Sequence, residues 1–284
     1  MSQPLFAFFG TPHIATLVLD RLETQGLLPA LIVTAPDKPA GRGLMLAQSP
    51  VKRWALEHDI DVVTPQTLRD PEFMREMQNT VWDAFVVAMY AKLIPKAILD
   101  IPTHGTLNVH PSLLPRFRGP SPVLSTILKD ERKTGVSVML LTEGMDEGPV
   151  LAQATIELEE DAWPPKGSEF EELLATEGGD LLAEVLPLWI EGKITPEIQD
   201  ATRATYTKKF TDEDAYIDLA ANPRENYLKI RAFDKSPRPY FRAQSGKRVL
   251  IKEAEWKDGT LTIVRVTPEG KKEMTYNDFL RWQA

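Results

Sequence analysis

Through the first half of the chain, short apolar runs alternate with segments of helical spacing, and this alternation limits the fold more than any other feature. Pro4 to Phe9 is an apolar run that stops at Gly10-Thr11-Pro12, and Ile14 to Leu22 then places apolar residues at helical intervals, with Pro12 suited to a first turn. Leu28 to Thr34 predicts a second strand that enters a Pro- and Gly-rich loop from Ala35 to Gln48. Ser49 fits as the cap of a helix over Val51 to Glu57. Asp61 to Val63 reads as a strand, Pro71 to Gln78 as a helix, Asp83 to Met89 as a strong apolar strand and Pro95 to Leu99 as a short helix. Strands over Thr106 to Val109 and Val136 to Leu141 complete the series. Strands separated by helices predict an α/β, doubly wound, mostly parallel sheet, and such sheets hold ligands beyond the carboxyl ends of their strands. Gly10, Asn108 and Asp146 all stand at such ends.

The second half has a different texture. Ser168 to Ile190 reads as one long amphipathic helix, weakened at Gly178-Gly179 and near Pro187, and the polar stretch from Thr195 to Lys209 reads as a linker. A helix around Asn222 to Phe233 and strands over Tyr240 to Ala243, Arg248 to Trp256 and Leu261 to Val266 follow. Turn signals at Ser245-Gly246, Asp258-Gly259 and Glu269-Gly270 separate the strands, and Thr275 to Trp282 closes as a short helix. A small antiparallel, OB-like barrel is expected there.

Composition excludes several chemistries. The chain has 284 residues and no cysteine, which rules out disulfides and thiolate chemistry. Its four histidines, at 13, 58, 104 and 110, lack zinc spacing, so no metal is expected. No apolar run approaches a membrane span, and a soluble cytoplasmic monomer without a membrane partner is expected. The net charge is −8, yet residues from Arg203 onward hold 17 Lys and Arg against 12 Asp and Glu. That tail is +5 on a body of −13, which directs attention to a polyanionic partner, although a solvated surface explains the same count.

Asn108-Val-His110 is the most informative local motif. Residues two apart on a strand face one side, so the carboxamide and the imidazole share a space. An amide that donates to a tetrahedral oxyanion, beside a ring that exchanges protons near neutral pH, is what acyl transfer to an amine requires. A turn Asn and a surface His would be the ordinary explanation of an isolated Asn-x-His. Asp146 can support the ring or be a common loop acid. Ser112, Leu113, Leu114 and Pro115 suit the flat apolar surface of a bound heterocycle, or simple core packing. Lys38 and Arg42 lie in the loop, and Arg42, flanked by glycines, can grip a phosphate or be a solvated tip. The turn at Gly10 lacks Gly-x-Gly-x-x-Gly, and no P-loop is present.

Together these segments resemble the methionyl-tRNA formyltransferase family. The resemblance runs through Phe8-Phe-Gly-Thr-Pro12, Ala35-Pro-Asp-Lys-Pro-Ala-Gly-Arg-Gly43, Ser49-Pro-Val-Lys52, Met89-Tyr-Ala-Lys-Leu-Ile-Pro95, Asn108-Val-His-Pro-Ser-Leu-Leu-Pro115, Arg118-Gly119 and Asp146-Glu-Gly148. It resumes at Ala204-Thr-Tyr-Thr-Lys-Lys209, Lys229-Ile-Arg-Ala-Phe233 and Gly270-Lys-Lys272. It implies a Rossmann-like formyltransferase domain over 1–194, a linker over 195–209 and a shortened OB-like tRNA-binding domain over 210–284. It also implies that Asn108, His110 and Asp146 are catalytic, that Ser112 to Pro115 line the site of 10-formyltetrahydrofolate with the pterin near the loop after Met89, and that Arg42 and Lys38 meet the initiator methionyl-tRNA.

The chain departs from the family where a pair of lysines often follows Gly-Arg-Gly, since Leu44-Met45-Leu46 stands there. It departs again in a short tail whose barrel looks trimmed. A sugar-nucleotide N-formyltransferase would use the same triad, and a noncatalytic tRNA- or folate-binding protein would keep the fold. The Gly-Arg-Gly loop and basic tail favour tRNA over the sugar nucleotide, and the intact triad opposes the noncatalytic alternative.

Overall fold

The computed structural model describes residues 3–40 and 45–283. Contacts divide the chain into two units: one holds residues 1–118, 135–156 and 172–205, and the other holds 119–134, 157–171 and 206–284.

In the first unit, β1 (Phe6–Phe9) shows why a parallel sheet forms. All four of its side chains are buried. Phe6 and Phe8 face one core, while Ala7 and Phe9 face the other, so the strand is covered on both sides. The first core receives α1 (His13–Thr24) and α2 (Pro50–Glu57), and the second receives α3 (Pro71–Gln78) and α4 (Lys96–Leu99). Ser49 caps α2 as its sequence suggests, its hydroxyl accepting from Lys52 N at 3.0 Å. Asp70 does the same for α3, accepting from Glu72 N and Phe73 N.

The remaining strands are β2 (Leu31–Val33), the pair β3 (Lys38–Ala40) and β4 (Met45–Ala47), β5 (Asp61–Val63), β6 (Ala84–Val87), β7 (Thr106–His110), β8 (Lys133–Leu140) and β9 (Val150–Glu157). The large sheet runs β5-β2-β1-β6-β7-β8-β9, parallel through β7 and antiparallel between β7 and β8. The loop expected over Ala35 to Gln48 instead holds the antiparallel arms β3 and β4, whose Lys38 pairs with Ala47. Helix α5 (Pro122–Leu128) and strand β9 are elements that the sequence pattern did not reveal.

Strand order reverses between β1 and β6, and Gly10 stands at the end of β1 beside this switch. A Cβ on Gly10 would lie 2.6 Å from the Phe8 ring and 3.0 Å from the Ala88 carbonyl. The glycine therefore serves close packing. The helix α6 (Gly167–Ile190) uses its central glycines in the same way, because Cβ atoms at 178 and 179 would come within 2.5 Å of Val109 and 2.8 Å of Arg21.

The second unit contains α5, α7 (Pro223–Ala232), β10 (Tyr240–Arg242), β11 (Arg248–Lys257), β12 (Thr260–Pro268), β13 (Met274–Thr275) and α8 (Tyr276–Gln283). Its strands form one antiparallel sheet in chain order. Ile217, Ile230, Val249, Ile251, Val266 and Phe279 fill its core. Asp258 and Gly259 both have positive φ, 50° and 75°, which matches the tight turn expected between β11 and β12.

Candidate active site

The carboxyl ends of β6 and β7 open into a cavity of about 340 Å³ lined by Tyr90, Leu93, Asn108, Met145 and Asp146 among others. Asn108 reaches it because β7 ends there, paired to β6 at Val87 and to β8 at Met139. Asp146 arrives from the loop after β8 in the left-handed region, with φ of 47°. An Asp adopts that conformation more readily than most residues, since its short side chain bonds locally.

His110 is 5% exposed and lies behind this lining. Its Nε2 is 3.0 Å from the carbonyl oxygen of Phe117. A carbonyl only accepts, so Nε2 bears the hydrogen, and Nδ1 is the nitrogen left to exchange a proton. Nδ1 lies 3.8 Å from Asp146 Oδ2. The structure thus brings Asn108, His110 and Asp146 together: the first and third share the cavity, and the second faces the third.

Further lining residues follow β6, in the segment after Met89 beside which the resemblance sets the pterin. Tyr90 packs edge-on to Phe9, its hydroxyl is buried without a hydrogen-bond partner, and burial pushes its pKa up to about 12. It therefore keeps its proton at physiological pH. Lys92 donates from Nζ to the carbonyls of Pro65 and Gln66 at 2.8 and 3.0 Å. Burial lowers its pKa, and neighbouring Lys38 lowers it further. Leu93 and Met145 are large apolar residues left 83% and 57% exposed at the cavity, a surface suited to a flat apolar ligand.

Ser112 to Pro115 do not reach this cavity. Ser112 is fully buried, its hydroxyl donating to Arg116 O at 2.6 Å and its carbonyl accepting from Ser137 Oγ. Leu113, Leu114 and Pro115 line a separate cavity of about 510 Å³ with Gln153, Glu197 and Arg203. The turn directs them there because Leu114 N and Gln153 both bind Ser137 Oγ. Lys38 is exposed on β3, and Arg42 lies outside the described residues. Among the described residues no cluster of His, Asp and Glu could hold a metal, and no helix is long and apolar enough to cross a membrane.

Residues 4–175 match the formyl transferase family, which defines the class as enzymes that move a one-carbon acyl unit. A methionyl-tRNA formyltransferase of Chloroflexus aurantiacus is 41% identical over 82% of this chain and 74% of its own length. One from Dehalococcoides mccartyi is 36% identical over 100% of this chain and 97% of its own. Among solved structures, the methionyl-tRNA formyltransferase from Clostridium thermocellum has a TM-score of 0.64 at 16% identity, covering 94% of this chain and 99% of that one. A sugar N-formyltransferase from Shewanella sp. has a TM-score of 0.66 at 15% identity, covering 90% and 99%. Fold alone therefore does not separate the two kinds of acceptor. The chain belongs to the methionyl-tRNA formyltransferase family.

Proposed function

We propose that the protein transfers the formyl group of 10-formyltetrahydrofolate to the free amine of methionyl initiator tRNA in the cytoplasm, for translation initiation. The observation that carries the chemistry is the 3.8 Å approach of His110 Nδ1 to Asp146 behind a cavity that Asn108 and Asp146 share. The amine lone pair forms the new N–C bond, and the carbonyl electrons move onto the formyl oxygen. The Asn108 carboxamide and protonated His110 stabilise that oxyanion, and collapse breaks the bond from carbon to the folate nitrogen. Asp146 supports the charged ring and helps to carry the amine's proton towards the departing nitrogen, through water where the gap requires it.

The donor's flat ring occupies the cavity beside Tyr90, Leu93 and Met145. Ser112 to Pro115 act one layer back, shaping the turn that follows His110.

The tRNA contacts come from Arg42, Lys38 and the C-terminal unit, which works as a trimmed OB-like module. A cleft of about 470 Å³ there is lined by Lys235, Arg238, Arg248 and Lys271. Arg248 is fixed over the Tyr240 ring at 3.7 Å and donates to Asp212 at 2.8 Å, which gives the cleft one rigid cation among three exposed ones. Such a cleft suits backbone phosphates.

The test offers the protein 10-formyltetrahydrofolate with methionyl-tRNA in one reaction and an amino-sugar nucleotide in another. Formylated methionyl-tRNA is expected. Formylation of the sugar alone would transfer the reading to the other acceptor class, and turnover of neither would end it. Arg42→Ala is expected to lower the rate on methionyl-tRNA at unchanged donor KM; an unchanged rate would remove Arg42 from the tRNA site.

A further inference from the structure

A polar side chain outside the cavity governs how Asp146 is held. Gln199, half-buried in the segment after α6, donates from Nε2 to the carbonyl of Asp146 at 2.9 Å and to that of Gly148 at 2.7 Å. Its Oε1 accepts from the nearly buried Arg118, from Nε at 3.0 Å and Nη2 at 2.8 Å. The amide is thus oriented by what it accepts: with Oε1 facing the guanidinium, both amide hydrogens must face the Asp146 loop.

The same segment controls the other partner of His110. Thr205 Oγ1 accepts from Phe117 N at 2.8 Å, and Thr205 O accepts from Arg118 N at 2.8 Å. Phe117 has positive φ, at 55°, a conformation that a bulky residue keeps only when its surroundings impose it. Asp146 shares that left-handed region, so the two residues that face opposite nitrogens of His110 both have positive φ, and both are tied to residues 199–205. All of these groups belong to the first unit.

We infer that Gln199 is a positioning residue for formyl transfer, holding the Asp146 backbone so that its carboxylate faces His110 Nδ1. The inference rests on the proposed reaction and adds a dependence of its rate on a residue outside the lining of the cavity that Asn108 and Asp146 share. It assigns a role to the amide hydrogens of Gln199 specifically, which makes Gln199→Glu the informative variant. A glutamate keeps an acceptor for Arg118, now charged, but loses both donors and turns an oxygen towards the two carbonyls.

The experiment measures kcat, both KM values and Tm for the wild type, Gln199→Glu and Gln199→Ala with 10-formyltetrahydrofolate and methionyl-tRNA. Since misplacement by about 1 Å can cost on the order of 100-fold, we expect both variants to lose at least about tenfold in kcat, with each KM within about twofold of the wild type. The kcat of Gln199→Glu should also respond to pH differently from that of the wild type, because the altered loop changes the proton path through Asp146. Wild-type kcat in Gln199→Glu overturns the inference, as does a loss confined to KM. Failure of both variants to fold also overturns it, since a positioning role requires a folded enzyme that has lost rate. A wild-type protein without turnover would instead sink the proposed reaction itself, so the two failures are distinguishable.

Discussion

Replacing Gly178 by alanine tests whether α6 sets the position of the strand that carries Asn108 and His110. A Cβ at 178 would stand 2.5 Å from Val109 Cγ1, whereas non-bonded carbons rest at about 3.5–4.0 Å, so roughly 1 Å of movement is required. Val109 is buried at 3% exposure and lies between Asn108 and His110 on a strand paired on both sides. It cannot yield without carrying its neighbours along. Alanine gains about 1 kcal/mol of helix propensity over glycine, while overpacking a filled core costs about 1–3 kcal/mol. The net loss should therefore be about 1 kcal/mol, a fall of about 2–4 °C in Tm for a chain of this size. The effect on rate should be larger, on the order of 100-fold, because the displacement falls on Asn108 and His110. Gly179→Ala supplies the contrast: its Cβ would meet Arg21 Cβ at 2.8 Å, so the strain falls on α1, and stability should drop with a smaller loss of rate. Thermal unfolding with single-turnover formyl transfer reads both quantities. A Gly178→Ala protein as stable and as fast as the wild type would show that α6 does not set the position of β7.

Asn108→Ala should lower kcat by about 100- to 1000-fold with little change in KM, the scale of losing one oxyanion donor; steady-state kinetics decide. Tyr90→Phe removes a buried hydroxyl without a partner, so the ligand-free protein should gain up to about 1 kcal/mol, read as a higher Tm; a loss would reveal a partner for that hydroxyl. Asp130→Asn should destabilise the second unit by about 1 kcal/mol at neutral pH, a value discounted for a side chain that is 41% exposed. The hydrogen bond from Arg224 holds the Asp130 carboxyl below its ordinary range against the opposing effect of burial, and the Trp163 indole helps. Because the folded-state value is depressed, that stabilisation is present above the unfolded value and is lost as pH falls through the folded one. The Tm gap between wild type and Asp130→Asn should therefore narrow below about pH 4, and a gap independent of pH would refute the assignment. Asparagine is the right replacement, since residue 130 has φ of 55° and Asn tolerates it.

Much of the sheet was legible because its signals are local. Asp61–Val63 and Pro71–Gln78 fall where spacing and flanking residues put them. The glycine turns of the C-terminal sheet needed only positive φ at Gly246, Gly259 and Gly270, which the sequence states outright. Helix α5 hid because Pro122–Leu128 is rich in β-branched and apolar residues and Ser121 forms no side-chain cap. The arms β3 and β4 hid because Pro39 and the surrounding glycines read as loop, while their pairing is a relation between segments. Gly178-Gly179 read as a weakness in α6 for the same reason: propensity sees the cost of glycine, and only the packed sheet reveals what a Cβ would strike.

The candidate site divides along the same line. Asn108 and His110 were legible since strand period alone puts them on one side, and Asp146 was legible as an acid at a strand end. Ser112 to Pro115 were ambiguous because two leucines and a proline near polar groups describe a ligand surface and a packed turn equally well. Tertiary hydrogen bonds to Ser137 hold the turn, while Leu113 to Pro115 line a cavity of their own. Gln199 gave no signal, and Thr205 gave only its place in Ala204-Thr-Tyr-Thr-Lys-Lys209, because their bonds to the site go to backbone atoms 51 to 88 positions away. Backbone partners carry no residue identity, so no motif states those bonds. The candidate site was visible where side chains share a strand face, and invisible where side chain holds main chain. The tolerance of this site to mutation should follow that second, unrecorded set as closely as the first. A series of substitutions along residues 197–205, scored by kcat at constant Tm, should peak at 199 and 205 and be flat at exposed Ile198; a profile without those peaks would show that Asp146 and Phe117 hold their conformations unaided.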